Sequence, residues 1–244
     1  MKKILLVIIA TAFVQFSFAQ SRWSFGFLFE PGISGLTHRV EDTGQPDSVK
    51  FYFGPKYSYS IGGMTDLKFN NRFHLSTGIN FKKMSFSLGQ KREDMDTFML
   101  NIFAQSDTSL LHIQKWTLIP SYYFISVPIN LKYYLNPLKK TNIFFVAGLT
   151  INYLFEGNGI WINEYDYGTD ANKWKQKPYS ETSKKFYLSL QLGMGVNYTI
   201  TNQFKIFLSP SFQYFIKKTE NGFPINGNFY NIGVQIGILY SLKQ

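Results

Sequence analysis

At 244 residues the chain is long enough for one or two domains, yet no Pro/Ser-rich linker or charge run divides it, so it reads as one. The absence of cysteine excludes a disulfide framework, a lipoprotein anchor and thiolate chemistry. Only 16% of residues are charged and 18% are aromatic, while a mean hydropathy of -0.11 is that of a soluble protein. Strands that alternate apolar and polar residues reconcile these values.

The first segment sets the compartment. Lys2 and Lys3 precede an apolar run from Ile4 to Val14, which ends in Ser17-Phe18-Ala19. This is the layout of a secretory signal peptide, with cleavage expected between Ala19 and Gln20. The run is too short for a transmembrane helix, which needs about 20 residues. Residues 1-19 are therefore expected to be a leader and residues 20-244 the mature domain.

Eight alternating segments follow, near residues 22-30, 56-69, 73-82, 123-135, 143-155, 186-200, 204-216 and 229-242. Asn70-Asn71-Arg72, Asn136 to Asn142 and Thr201-Asn202-Gln203 make short connections, and the intervening ones are long. Parity assigns each residue to a face. Trp23, Phe25, Phe27 and Phe29 fall on one side, as do Leu188, Leu190, Leu192, Met194, Val196 and Tyr198, with no charge among them. The other side collects Gly, Ser, Asn and Gln with a polar cluster of Arg22, Asp66, Lys68, His74, Lys132 and Lys205.

A charge at mid-bilayer costs about 2-4 kcal/mol for Lys or Arg, so a charge-free face implies lipid. The expected fold is all-β: an eight-stranded antiparallel up-and-down transmembrane barrel with short periplasmic turns and long extracellular loops. A soluble lipocalin-like barrel would need a more heavily charged outer face than the Gly- and Ser-rich one found here. Aromatics at both strand ends, such as Phe73, Tyr133 and Phe204 at one level and Tyr123, Tyr153 and Tyr214 at the other, read as interfacial girdles. Pro128 and Pro210 each lack a ladder donor, which predicts a bulge or register break.

Of the connections, residues 84-88 and 109-122 are expected to prolong their strands as a hairpin. Between them, Met95, Phe98, Met99, Ile102 and Phe103 recur at helical spacing behind Asp94. A further loop, 156-185, gathers Trp161, Tyr165, Tyr167 and Trp174 as candidate contacts for a ligand or partner, or as a lid over the barrel's own mouth. Its acidic residues miss the EF-hand spacing at Gly168, and no metal or cofactor is implied.

The strand Val127-Pro128-Ile129-Asn130-Leu131-Lys132-Tyr133-Tyr134-Leu135 and the Gly-rich strands holding Ala147-Gly148-Leu149 and Leu192-Gly193-Met194-Gly195-Val196-Asn197-Tyr198 resemble the PorT-like outer-membrane β-barrels of the Bacteroidota, as does the Ala19-Gln20 junction. The resemblance implies an integral outer-membrane barrel tied to assembly or secretion, without catalytic residues. The chain departs from the usual aromatic ending, closing on Leu242-Lys243-Gln244.

The formal charge of +10 includes Lys2 and Lys3, and the remainder lies along the wall and periplasmic turns. That pattern points to lumen packing and anionic lipid rather than nucleic acid. Outer-membrane lipid, the barrel-assembly machinery and a periplasmic or surface protein are the expected partners. A small channel or loop receptor is the first alternative. His74-Leu75-Ser76 offers a second, a lipid A deacylase-like pair, but parity turns both polar residues into the lumen.

Overall fold

An alternating sequence can bury its polar row only by curling the sheet until its edges meet. In the computed structural model, which describes residues 23-39, 52-94, 113-137, 139-165, 168-176, 186-216 and 226-242, the sheet does so. The strands are β1 (Trp23–Arg39), β2 (Tyr52–Lys68), β3 (Phe73–Lys91), β4 (Ile113–Tyr134), β5 (Thr141–Tyr165), β6 (Gly168–Gln176), β7 (Phe186–Thr199), β8 (Phe204–Phe215) and β9 (Asn226–Ser241). Eight of them form an antiparallel ring, β1-β2-β3-β4-β5-β7-β8-β9, which closes where β1 pairs with β9. The expected leader with Ala19 and Gln20, Arg22, the helical-spacing segment 95-103 and Tyr167 lie outside the described residues.

The ring has the expected eight strands, and a ninth, β6, is added outside it. β5 is 25 residues long, and one of its edges pairs first with β7 over Thr141 to Tyr153 and then with β6 over Gly157 to Tyr165. The supposed loop 156-185 is thus strand over much of its length. Beyond the bilayer neither face meets lipid, so the parity signal that marks the other strands disappears. Gly157-Asn158-Gly159 then reads as a turn. The predicted prolongation of the third and fourth strands is present over 84-88 and 113-122, since β3 runs to Lys91 and β4 starts at Ile113, while 109-112 lie outside the described residues.

The prolines also depart from expectation, because no register slips at Pro128 or Pro210. β3 and β4 pair at Thr77–Ile129 and again at Asn80–Ser126, leaving Gly78, Ile79, Val127 and Pro128 out of the ladder with the register unchanged. β7 and β8 likewise skip from Gly193–Ser211 to Val196–Leu208. A missing N–H opens the ladder locally, and the pairs on either side hold it in step. Register shifts fall elsewhere, at Ile113/Lys115 and Tyr123/Phe124 in the β4–β5 pairing and between Pro55 and Tyr59 of β2. There Ser34 Oγ takes over as partner to Ser85, donating to its carbonyl and accepting from its N–H, both at 2.8 Å.

Outward-facing Phe27, Ile79, Leu190, Leu192, Val196, Leu208, Ile236 and Ile238 are exposed. Aromatic pairs bound this belt: Phe73–Tyr133 and Phe204–Tyr240 at the periplasmic end, Tyr153–Phe186 and Phe81–Tyr123 at the other. Inside, one apolar cluster of Phe124, Phe215, Phe229, Tyr187, Trp116 and Met84 fills the outer half. A second, with Tyr134, Phe144, Phe207 and Leu239, lies towards the periplasmic end.

Candidate functional site

The polar cluster starts from a turn. Asn70 Oδ1 accepts from Arg72 N at 2.8 Å and Phe73 N at 2.9 Å, an Asx arrangement that folds β3 back on β2. The resulting register sets Lys68 opposite His74 and Asp66 opposite Ser76, while β4 sets Lys132 opposite His74. Asp66, His74 and Lys132, all inward by parity, meet in the lumen and are buried. His74 Nδ1 lies 2.9 Å from Asp66 Oδ2, and Lys132 Nζ lies 3.1 Å from Asp66 Oδ1. A carboxylate only accepts, so Nδ1 carries the proton. Lys132 Nζ also sits 5.8 Å from the Phe144 ring centre and 5.4 Å from that of Phe207. Lys68 and Lys205 remain half-buried towards the periplasmic opening, with Lys205 in electrostatic reach of Asp66, Lys68 and Lys132.

Ser76 is buried beside this group, yet no hydrogen bond joins it to His74. A nucleophile needs a base within reach and a path to its substrate. Here Nδ1 is committed to Asp66, the imidazole ring lies 4.5 Å from the Tyr134 ring, and both residues face the lumen. The arrangement suits a polar plug.

A second network, centred on Glu30, escapes a cluster drawn from sequence. Glu30 Oε1 accepts from Ser211 Oγ at 3.1 Å and Asn231 Nδ2 at 2.9 Å, and Oε2 accepts from Gln235 Nε2 at 2.9 Å. Asn231 Oδ1 in turn accepts from Ser58 Oγ at 2.6 Å. Across the lumen Lys82 Nζ donates to Gln213 Oε1, whose Nε2 donates to Ser189 Oγ at 2.7 Å. Gly233 leaves room for this carboxylate, since a Cβ there would stand 2.9 Å from Glu30 Oε1. Glu30 shares inward parity with Asp66, but its donors lie on β8 and β9, which only ring closure brings beside β1. Between the two networks a void of about 20 Å³, lined by Glu30, Asn80, Lys82, Asn130 and Lys132, has room for about one water.

The candidate loop contacts divide. Trp161 stacks on buried Trp116 at 5.2 Å, its Nε1 donating to Asn163 Oδ1 at 2.5 Å, and Tyr165 packs against the outer apolar cluster. Trp174 falls on β6, its backbone paired with Gly159. Trp161 and Tyr165 therefore help build the core of the outer extension. Lys115 and Glu164 join β4 to β5 across its surface at 2.9 Å.

An antiparallel ring with an apolar outside, aromatic ends and a polar interior is a transmembrane β-barrel, since only closure leaves no strand edge unsatisfied in lipid. The chain belongs to the family described as the outer membrane protein beta-barrel domain, whose model matches residues 18–219. No curated protein matches. Among solved structures it is similar in fold to the outer membrane protease OmpT of Escherichia coli, with a TM-score of 0.45, 10% identity and coverage of 91% of this chain and 97% of that one. It is similar also to Neisserial surface protein A, with a TM-score of 0.43, 10% identity and coverage of 89% and 96%. The attachment invasion locus protein Ail of Yersinia pestis follows, with a TM-score of 0.34, 10% identity and coverage of 89% and 99%.

Proposed function

We propose that this protein is a non-conducting, non-catalytic scaffold of the PorT-like kind, exported by residues 1-19 and acting in assembly or secretion at the outer membrane. The observation that carries this reading is the lumen. Phe124, Phe215, Phe229 and Tyr187 fill its outer half, and the Glu30 and Asp66 networks lie across the rest. An interior packed in this way leaves the surfaces and loops to do the work. Partners are then lipid, the assembly machinery that inserts the barrel, and a periplasmic or surface protein.

Mature protein reconstituted in planar bilayers should give no stepwise conductance, and reproducible single-channel steps would overturn the scaffold reading. Mass spectrometry of lipid A from cells expressing wild type, His74→Ala and Ser76→Ala should show three identical profiles. A deacylated species confined to wild type would assign an enzyme instead. One observation favours a second reading, a surface receptor or adhesin: β3, β4, β5 and β6 continue as one sheet past the aromatic level and project from the wall.

A further inference from the structure

The periplasmic end of the ring is cationic, and the register shows on which side of the wall its charges stand. Among the described residues at this end, Lys68, Arg72, Lys132, Lys139, Lys140 and Lys205 are set against a single carboxylate, Asp66. Asp66 gives one oxygen to His74 and the other to Lys132. Among the described residues, Lys68 and Lys205 are left without an ion pair or a hydrogen bond. Both belong to the inner side: Lys68 stands opposite buried His74 on β3, and Lys205 opposite buried Leu239 on β9. Lys205 lies within electrostatic reach of Lys68, Lys132 and Asp66, so three ammonium groups share one carboxylate. Arg72, Lys139 and Lys140 are exposed on the turns that rim the opening.

Lipid does not account for this arrangement. The outward residues at the same level are Phe69, Phe73, Tyr133, Tyr198, Phe204 and Tyr240, with no charge among them. A lysine that neutralises an inner-leaflet headgroup stands on that outer side of the wall, and Lys68 and Lys205 do not. Packing does not account for it either, because half-buried cations without a counter-charge repel one another. We propose that the periplasmic opening docks an acidic, extended segment of a periplasmic protein. One carboxylate of that segment enters the opening and accepts from Lys68 and Lys205, while its neighbours meet Arg72 and Lys140 on the rim. The inference rests on the scaffold reading and names the surface and the chemistry of its periplasmic partner. An eight-stranded ring is only wide enough for side chains, so a single extended peptide presents a carboxylate there and a glycan strand does not. Ammonium-to-carboxylate hydrogen bonds are the strong, charge-assisted kind, and both ammonium groups have them still to make.

The test uses the mature protein in phosphatidylcholine nanodiscs, which leave both ends open to solution. The probe is a fluorescent peptide of alternating glutamate and glycine, with its glutamine counterpart as the uncharged control. Fluorescence anisotropy should show the glutamate peptide binding wild type and the glutamine peptide not binding. Lys68→Gln with Lys205→Gln should weaken binding about tenfold, the loss of two partly exposed ion pairs. Lys56→Gln with Lys83→Gln removes the same charge at the outer end and should leave binding unchanged. Arg72→Gln with Lys140→Gln is the second variant if the first does not fold, and it should weaken binding likewise. The proposal falls if wild type does not bind the glutamate peptide, if a folded periplasmic-end variant binds it as tightly as wild type, or if the outer-end variant loses as much. Peptidoglycan fragments that displace the peptide at lower concentration than unlabelled peptide does would give the opening to the cell wall and overturn the proposal. So would phosphatidylglycerol retained in native mass spectrometry by wild type and lost by Lys68→Gln with Lys205→Gln. Single-channel steps sink the scaffold reading by themselves, whereas a non-conducting barrel that ignores the peptide sinks this inference alone.

Discussion

Leu190→Arg measures what the wall faces. Leu190 is 48% exposed on β7, paired with Leu149 and Tyr214. Phe186 and Tyr198 bound the same strand, and at ~3.3 Å per residue with a tilt of about 40° they stand roughly 30 Å apart along the bilayer normal. Leu192 then lies at the midplane and Leu190 about 5 Å above it. An arginine costs ~2-4 kcal/mol at the midplane and ~0-1 kcal/mol near the interface. Leu190→Arg should therefore lose about 2-3 kcal/mol, roughly a 30- to 150-fold shift in the folding equilibrium, while Tyr198→Arg at the girdle should lose about 1 kcal/mol or less. The assay is reversible denaturant unfolding in vesicles, read by the mobility difference between folded and unfolded protein. Equal losses at the two positions, or a larger loss at Tyr198, would refute the assignment of this face to hydrocarbon.

The remaining predictions concern the lumen and the closure of the ring. Asp66→Ala leaves Lys132 buried without its counter-charge and should cost about 3-5 kcal/mol, against about 1-3 kcal/mol for His74→Ala, which removes one charge-assisted hydrogen bond; denaturant titration ranks them. Phe124→Ala empties the centre of the outer cluster and should cost about 3-5 kcal/mol in the same titration. Gly233→Val should displace Glu30 and lower stability without changing membrane localisation, read by unfolding and membrane fractionation of the same preparation. Unboiled protein should migrate differently from boiled protein in a detergent gel, because a ring without an open edge resists unzipping; identical migration would argue against closure.

Parity made the membrane-facing half of the fold legible, because lipid punishes every misplaced charge and so keeps the pattern clean from Trp23 to Phe29 and from Leu188 to Tyr198. It failed where lipid ends. The upper part of β5 and all of β6 read as loop, since Gly157-Asn158-Gly159 and Asp170-Ala171-Asn172 look like turns once neither face must be apolar. Prolines misled for a related reason: Pro128 and Pro210 announce a missing donor, but the neighbouring pairs decide whether the register slips. Of the polar cluster, Asp66 and His74 come together because a short turn fixes their register locally, and Lys132 joins them through the β3–β4 pairing. The Glu30 network joins β1 to β8 and β9, and Asn231 and Gln235 are 201 and 205 residues away. Only ring closure brings them together, which spacing along the chain does not reveal.

Closure through β1 and β9 is the claim on which the rest depends, and the absence of native cysteine makes it directly measurable. Phe27 and Ile238 stand opposite each other across that seam, both facing outward and exposed. Directly paired antiparallel residues have Cα atoms about 4.5-5.5 Å apart, within the range a disulfide spans. Phe27→Cys with Ile238→Cys, oxidised in isolated membranes, should give an intramolecular bridge seen as a reductant-sensitive shift in the boiled protein. Phe27→Cys with Ile151→Cys, which places the second thiol on β5, should give none. Failure of the first pair to bridge while the protein is membrane-embedded, or equal bridging by both pairs, would contradict a barrel closed between β1 and β9.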